Sequence, residues 1–317
     1  MKIIQSFYQI DNKTCYNIGG NNDNYLLNYY SMLLSYITIK EKYGEVAMYC
    51  NKLAYDKMLK YIPYDKIVLD ETSIVDASNY RQEWGMLKFN VFSQQNEPFI
   101  HIDTDVFLFN DVLSGYINKG KYDGIVQSIE LDKRYGVYDS FYHANQENLI
   151  KYDFINDNLM KRSIDKYLTV IGYNNGVVGF NNLKFLEEYI ESAKKLNDLI
   201  IAGVFVNVKN QTMIFEQFLL YILSQKNGYK IFEVLPEDDI INIGFNETGN
   251  KHGYTHLLSG NKYVKNFILL IRNKIIQNYP NYIKHIDEFE KTINNVNFTF
   301  LSHKDENHLM KNIVQKW

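Results

Sequence analysis

The chain has 317 residues, a formal net charge of −3 and two cysteines, Cys15 and Cys50. That length suits one large α/β domain or two modest ones and buries a sizeable core without disulfides. The dispersed basic residues argue against a nucleic-acid binder, and two cysteines outside any Cys-x-x-Cys or Cys/His cluster argue against a zinc site or a disulfide framework.

KIIQSFY (2–8) reads as a first strand, followed by a polar Gly- and Asn-rich loop, CYNIGGNND (15–23). The apolar periodicity of 25–44 predicts a helix closed by Gly44. A strand over 45–50, a helix over 51–62, a strand over 66–70, a helix over 83–95 and a strand over 98–103 complete the first half. Strands alternating with helices predict a mostly parallel sheet with helices on both faces. The second half is more mixed. GIVQSIE (124–130) predicts a strand, and 167–181 a strand–turn–strand around Asn174, Asn175 and Gly176. Helices are expected over 182–196 and over 212–228, the latter ending at Gly228, with strands over 230–235 and 254–258. From Lys262 to the end the pattern is helical, broken at Pro280. The N-terminal apolar run is too short for a signal peptide, and no stretch approaches the roughly 20 apolar residues that span a bilayer, so a soluble cytoplasmic protein is expected.

PFIHIDTDVFLFN (98–110) places Asp103 and Asp105 where the fourth strand ends. Open parallel sheets put their ligands at the carboxyl ends of their strands. Two carboxylates one residue apart can share a divalent cation with a polyanionic ligand, as Mg²⁺ and Mn²⁺ favour. Solvated turn acids are the alternative, but both flanks are apolar, and buried carboxylates need a cation or several donors. The Gly and distal Glu of an EF-hand loop are missing. In YNNGVVGFN (173–181), asparagine side chains suit sugar hydroxyls, and a plain hairpin turn reads equally well. In FEQF (215–218), Glu216 and Gln217 interrupt an apolar helix, and adjacent helical positions diverge, so only one of them is expected to face any one ligand. In THLLSGNK (255–262), His256 is either a third metal ligand or an ordinary strand histidine, while Gly260 and Lys262 could approach a diphosphate. His101 is assigned to the core.

Taken in order, HIDTDVFLF, YNNGVVGF, FEQFLL and THLLSGNK resemble the GT-A fold of nucleotide-sugar glycosyltransferases. The retaining glycogenin-like and bacterial galactosyltransferase branch is the nearest pattern, together with a bacterial glycosyltransferase-like family that also begins with a KIIQSF-type strand. The resemblance implies that Asp103 contacts ribose and metal, that Asp105 and His256 chelate the metal, and that Thr104 lies against the nucleotide sugar. Asn174, Asn175 and Gly176 would meet the donor sugar, and Glu216 and Gln217, with Asn175, would serve the reacting carbon. Gly260 and Lys262 would meet the diphosphate, and Phe7, Tyr8 and Lys88 the nucleotide. Two departures stand out: His-x-x-x-Gly replaces the branch's His-x-x-Gly, and Glu216 stands where an Asp is common.

The implied activity is Mn²⁺- or Mg²⁺-dependent transfer of a sugar from a nucleoside-diphosphate sugar, with retention, to a glycan, lipid-linked, peptide or protein acceptor. Residues 1–262 would form the catalytic domain and 263–317 a helical C-terminal appendage. A nucleotidyl- or phosphotransferase would also use paired acids, but GxxxxGK[ST] is absent and IGGNN (18–22) is a poor substitute. A non-catalytic sugar-binding protein on the same fold would be expected to lose Asp105 or His256, and both are present. The stretch 263–279 reads either as a basic membrane-surface helix or as part of a helical hairpin packed on the domain or on a second copy of the chain. With Asp287, Glu288 and Glu290 just beyond the basic residues, the packed hairpin is the expectation.

Overall fold

A computed structural model describes residues 1–9, 22–71, 84–131, 136–208, 210, 213–257 and 265–293. The strands are β1 Lys2–Phe7, β2 Val46–Cys50, β3 Lys66–Leu69, β4 Phe99–Ile102, β5 Val106–Leu108, β6 Gly124–Leu131, β7 Ile171–Phe180, β8 Ile231–Glu233 and β9 Tyr254–His256. The chain divides into two compact units, and β1 runs through both. The mixed α/β architecture with a mostly parallel sheet flanked by helices agrees with the sequence pattern.

The first unit comprises Met1–Ile4, Thr72–Ile102 and Leu113–Gly244. Its strand order is β1-β4-β7-β6-β8. β1 and β4 pair in parallel, as do β6 and β8, while β7 runs antiparallel to both its neighbours. All four residues of β4 and all ten of β7 are buried, as expected for strands covered on both faces. At Gly179 a Cβ would lie 2.4 Å from the Phe99 carbonyl oxygen, so a residue without a side chain lets β4 and β7 close. The covering helices include Trp84–Ser93, Val137–Lys151, Asp157–Tyr167, Leu183–Ile201 and Leu219–Asn227.

The expected strand–turn–strand over 167–181 is instead one continuous strand. Val126 pairs with Val178 but Ser128 with Asn174, so on the β6 side residues 175–177 stand opposite Gln127 alone. The Asn-Asn-Gly sequence serves a β-bulge, not a hairpin turn. Both features need permissive backbone, and only the partner strand distinguishes them. The helix expected over 212–228 opens with a π-helical turn, Met213–Phe218, before the α-helix that Gly228 ends in the left-handed region.

The second unit comprises Gln5–Glu71, Asp103–Val112 and Phe245–Trp317. It holds the far half of β1 with β2 and β3, and a two-stranded antiparallel ribbon of β5 and β9. Its long helix, Asn22–Tyr43, buries Tyr29, Tyr30, Leu33, Leu34 and Ile37. Helices Lys265–Asn278 and Ile283–Glu290 bury Ile268, Leu269, Ile271, Ile275, Ile286 and Phe289. Phe289 stacks on Tyr29 with ring centres 3.8 Å apart. Arg272 pairs with Glu290 at 2.7 Å, and the Tyr30 hydroxyl donates to the same carboxylate at 2.6 Å. The apolar face of 265–278 is therefore covered by protein, and its arginine is neutralised within the unit. Among the described residues, no helix is long and apolar enough to cross a membrane.

Candidate functional site

In the second unit, the chain leaves β4 and turns through Asp103 and Thr104, where the Val106 amide donates to the Asp103 carbonyl at 3.1 Å. β5 then pairs with β9 in a register that sets Val106 opposite His256, and the Leu257 amide donates to the Asp105 carbonyl at 3.0 Å. That register carries the imidazole to the acids. One donor atom each from Asp103, Asp105 and His256 lies within 4.8 Å of the other two. His256 Nε2 is 3.5 Å from Asp105 Oδ1, and both side chains are about nine-tenths buried. Tyr254, on the same strand, is fully buried, and burial followed by the charges of Asp103 and Asp105 holds its phenol well above the ordinary range. Two carboxylates and one imidazole at these separations fit an oxygen-preferring divalent cation such as Mn²⁺ or Mg²⁺.

In the first unit, a second polar cluster forms around the bulge of β7 and the π-helical turn. A π-helical turn bonds each carbonyl to the amide five residues on, which widens the turn. Here Asn175 Nδ2 and the Tyr189 hydroxyl donate to the Glu216 carbonyl at 2.5 and 2.9 Å. Asn175 Oδ1 is buried without a hydrogen-bond partner among the described residues. The Glu216 carboxylate, only 6% exposed, pairs with Lys88 Nζ at 2.8 Å. Gln217 diverges from it, as adjacent helical positions must, and accepts a hydrogen bond from the Tyr138 hydroxyl through Oε1. That hydroxyl also lies 3.4 Å from Glu130 Oε2, toward which Asn174 Nδ2 is directed at 3.5 Å. The Gly176 amide donates to Asn174 Oδ1 at 3.2 Å, tying the bulge to itself. His101 is buried on β4, and burial followed by the charge of Lys88 holds its imidazole well below the ordinary range.

The remaining sequence candidates divide between core and undescribed chain. Phe7 is buried in the core, and Tyr8 is buried with its hydroxyl donating to Asp70 at 2.9 Å. Thr104 is buried, and its carbonyl accepts from Ser31 at 3.4 Å. Gly260 and Lys262 lie outside the described residues. Glu130 and Tyr138 were not singled out by sequence. One is an acid near the end of an apolar strand and the other an aromatic on a helix, and neither stands in a motif.

Residues 1–289 match a family described as "Family of unknown function (DUF6734)". The chain belongs to that family. No curated protein matches the sequence. Among solved structures, it is similar to a galactosyltransferase, LgtC, in complex with donor and acceptor sugar analogs, with 12% identity over 73% of each chain and a TM-score of 0.41. It is also similar to mouse xyloside xylosyltransferase 1 in its apo form, with 8% identity over 73% of this chain and 84% of that one, and a TM-score of 0.36. A third is 4-diphosphocytidyl-2C-methyl-D-erythritol synthase from Anaerococcus prevotii DSM 20548, with 12% identity, 79% and 96% of the two chains, and a TM-score of 0.36. At such identities and scores these likenesses carry no argument about activity.

Proposed function

We propose that the protein is a metal-dependent glycosyltransferase that moves a sugar from a nucleoside-diphosphate sugar to an acceptor with retention. The observation that carries this reading is the convergence of Asp103, Asp105 and His256, donor atom to donor atom within 4.8 Å, at the carboxyl end of β4. Asp105 and His256 would hold a Mn²⁺ or Mg²⁺ ion, with Asp103 bridging to the ribose. A cation held there would neutralise the charge that develops on the departing diphosphate. The polar cluster of the first unit has the chemistry for a sugar. The buried Asn175 Oδ1 is an acceptor for a sugar hydroxyl, and Asn174 carries both donor and acceptor. Glu216 and Gln217 would serve the reacting carbon, Glu216 by its charge and Gln217 by its amide dipole. An amide cannot take a proton as a general base, which supports retention over inversion at Gln217. Lys88 would keep Glu216 ionised by pairing with it and release it to the sugar.

Purified protein incubated with Mn²⁺ and a panel of nucleotide sugars should release nucleoside diphosphate from one of them, faster with the right acceptor. Release that persists in EDTA would overturn the metal dependence. Pyrophosphate release from a nucleoside triphosphate and a sugar phosphate, with no diphosphate from any sugar nucleotide, would identify a nucleotidyltransferase instead.

A further inference from the structure

Residues 103–108 are gripped from two sides within the second unit. One side is β9, through the ribbon already described. The other is a row of hydroxyls on the helix Asn22–Tyr43. The Ser31 hydroxyl donates to the Thr104 carbonyl at 3.4 Å, and the Ser35 hydroxyl to the Val106 carbonyl at 2.7 Å. The Leu108 amide donates to the Thr38 hydroxyl at 3.2 Å. Residues 31, 35 and 38 share one helical face, separated by about 6 and 4.5 Å along the axis. Thr104 sits in the turn that precedes β5, and residues 106 and 108 are alternate positions of that strand, separated by about 6.6 Å. The turn brings the Thr104 carbonyl to Ser31, and β5 carries Val106 and Leu108 past Ser35 and Thr38.

Serine and threonine inside a helix ordinarily bond back to the preceding turn. Ser31 and Ser35 instead direct their protons outward, to the backbone of the acidic segment. Behind Ser35 stands a relay. The Tyr64 hydroxyl donates to Gln5 Oε1 at 2.9 Å, and Gln5 Nε2 donates to the Ser35 oxygen at 2.8 Å. The same Gln5 nitrogen lies 3.4 Å from the Asp103 carbonyl oxygen. Gln5 and Ser35 are fully buried. A hydroxyl that accepts one hydrogen bond donates a stronger one, so the relay tightens its last link, at Val106.

We propose that Ser35 and Gln5 are positioning residues for a cation: they fix the main chain of Asp103 and Val106 so that both carboxylates meet the imidazole in ligand geometry. The inference rests on the reading that Asp103, Asp105 and His256 hold a divalent cation, and it adds the part of the protein that sets their geometry. Loss of an outer residue that orients metal ligands typically weakens metal binding about 10- to 100-fold.

The test is direct Mn²⁺ binding to the full-length protein, followed by electron paramagnetic resonance of the free ion with no sugar present. Ser35→Ala should weaken Mn²⁺ binding about 10- to 100-fold. Thr38→Val, on the same row but serving Leu108, should lower thermal stability while leaving Mn²⁺ affinity within about threefold of wild type. Should Ser35→Ala not fold, Tyr64→Phe at the outer end of the relay should weaken binding by about threefold to tenfold. Unchanged Mn²⁺ affinity in folded Ser35→Ala, or in Tyr64→Phe where Ser35→Ala does not fold, overturns the inference and leaves the cation reading intact. Equal losses in Thr38→Val and Ser35→Ala also overturn it, since the row would then be scaffolding alone. A wild-type protein that binds no Mn²⁺ overturns the cation reading and this inference with it.

Discussion

The two polar clusters are held in different ways. In the second unit, the interactions fall on the main chain: hydroxyls and a glutamine take the carbonyls of 103–106, and strand register brings His256 alongside. In the first unit, Asn175 and Tyr189 hold the Glu216 carbonyl, but the side chains also hold one another: Lys88 on Glu216 and Tyr138 on Gln217. A cluster whose backbone is fixed can turn its side chains to a cation. A cluster whose side chains hold one another must exchange partners to engage a ligand. The difference predicts that the cluster of the second unit is sensitive to loss of its ligands and of the groups that fix its main chain, and the cluster of the first unit to loss of any side chain that holds another.

The largest effect is expected at Asp105. Asp105→Ala should abolish transfer and Mn²⁺ binding while the circular dichroism spectrum stays native, because the substitution keeps the backbone carbonyl that the Leu257 amide bonds and through which β5 and β9 are joined. EDTA should reproduce the loss, and added Mn²⁺ should restore wild type only. Retained activity in Asp105→Ala would break the comparison at its first half.

Lys88→Met should come next. It leaves the nearly buried Glu216 carboxylate without its cation, a loss of about 3 kcal/mol for a pair this enclosed. The doubly substituted Lys88→Met/Glu216→Gln protein should recover part of that stability, because no charge is then left alone. Both should lose transfer activity. Chemical denaturation of wild type, Lys88→Met, Glu216→Gln and the double variant gives the coupling, and a double variant less stable than Lys88→Met would refute this account of the pair.

These expectations also show what a sequence can and cannot reveal. β1 to β4, the long helix at 22–43 and the ends at Gly44 and Gly228 were legible because periodicity and glycine signals are local. β7 was misread as a hairpin because a bulge and a turn ask for the same residues, and the register of β6 decides. The helix Val137–Lys151 went unnoticed because Tyr138, Tyr142 and Asn145 stand on its buried face beside Phe141 and Leu149, which dilutes the apolar stripe. The acids and the histidine stood out as motifs. The row Ser31, Ser35 and Thr38 did not, because its partners lie about seventy positions further along the chain and hydroxyls inside a helix suggest no partner at all. Tyr138 was hidden for the same reason: its role exists only once Gln217 is folded against it.

Tyr138→Phe should show a smaller effect. The Tyr138 hydroxyl fixes which end of the Gln217 amide is an acceptor already in use. Its loss frees the amide to rotate, so kcat should fall about tenfold, roughly 1.4 kcal/mol, with KM little changed. Tyr138→Phe added to Gln217→Ala should then cost almost nothing further. Additive losses in kcat would show that the two side chains act separately, and would weaken the picture of a cluster held by its own members.

The smallest effect concerns Glu233, a third carboxylate of the first unit, on β8. Lys88 compensates Glu216, whereas Glu233 is half-buried and meets Glu237, whose amide donates to its Oε2 at 3.1 Å. Burial, followed by the charge of Glu237, raises its pKa from the usual 4.5 to about 7. Between those values the folded chain keeps a proton that the unfolded chain has lost. The stabilisation is therefore complete below about 4.5, declines as the pH rises, and is gone above about 7. Glu233→Gln keeps an oxygen for the Glu237 amide and removes the titration. From pH 4 to pH 8, wild type should lose on the order of 1 kcal/mol more stability than Glu233→Gln, well short of the roughly 1.4 kcal/mol per unit that a fully buried group would show, because water reaches part of the side chain. Urea midpoints at pH 4, 6 and 8 measure the difference. Curves that run parallel would mean that Glu233 takes up and releases its proton alike in the folded and unfolded chains, and that the first unit tolerates a carboxylate there without either a paired cation or a retained proton.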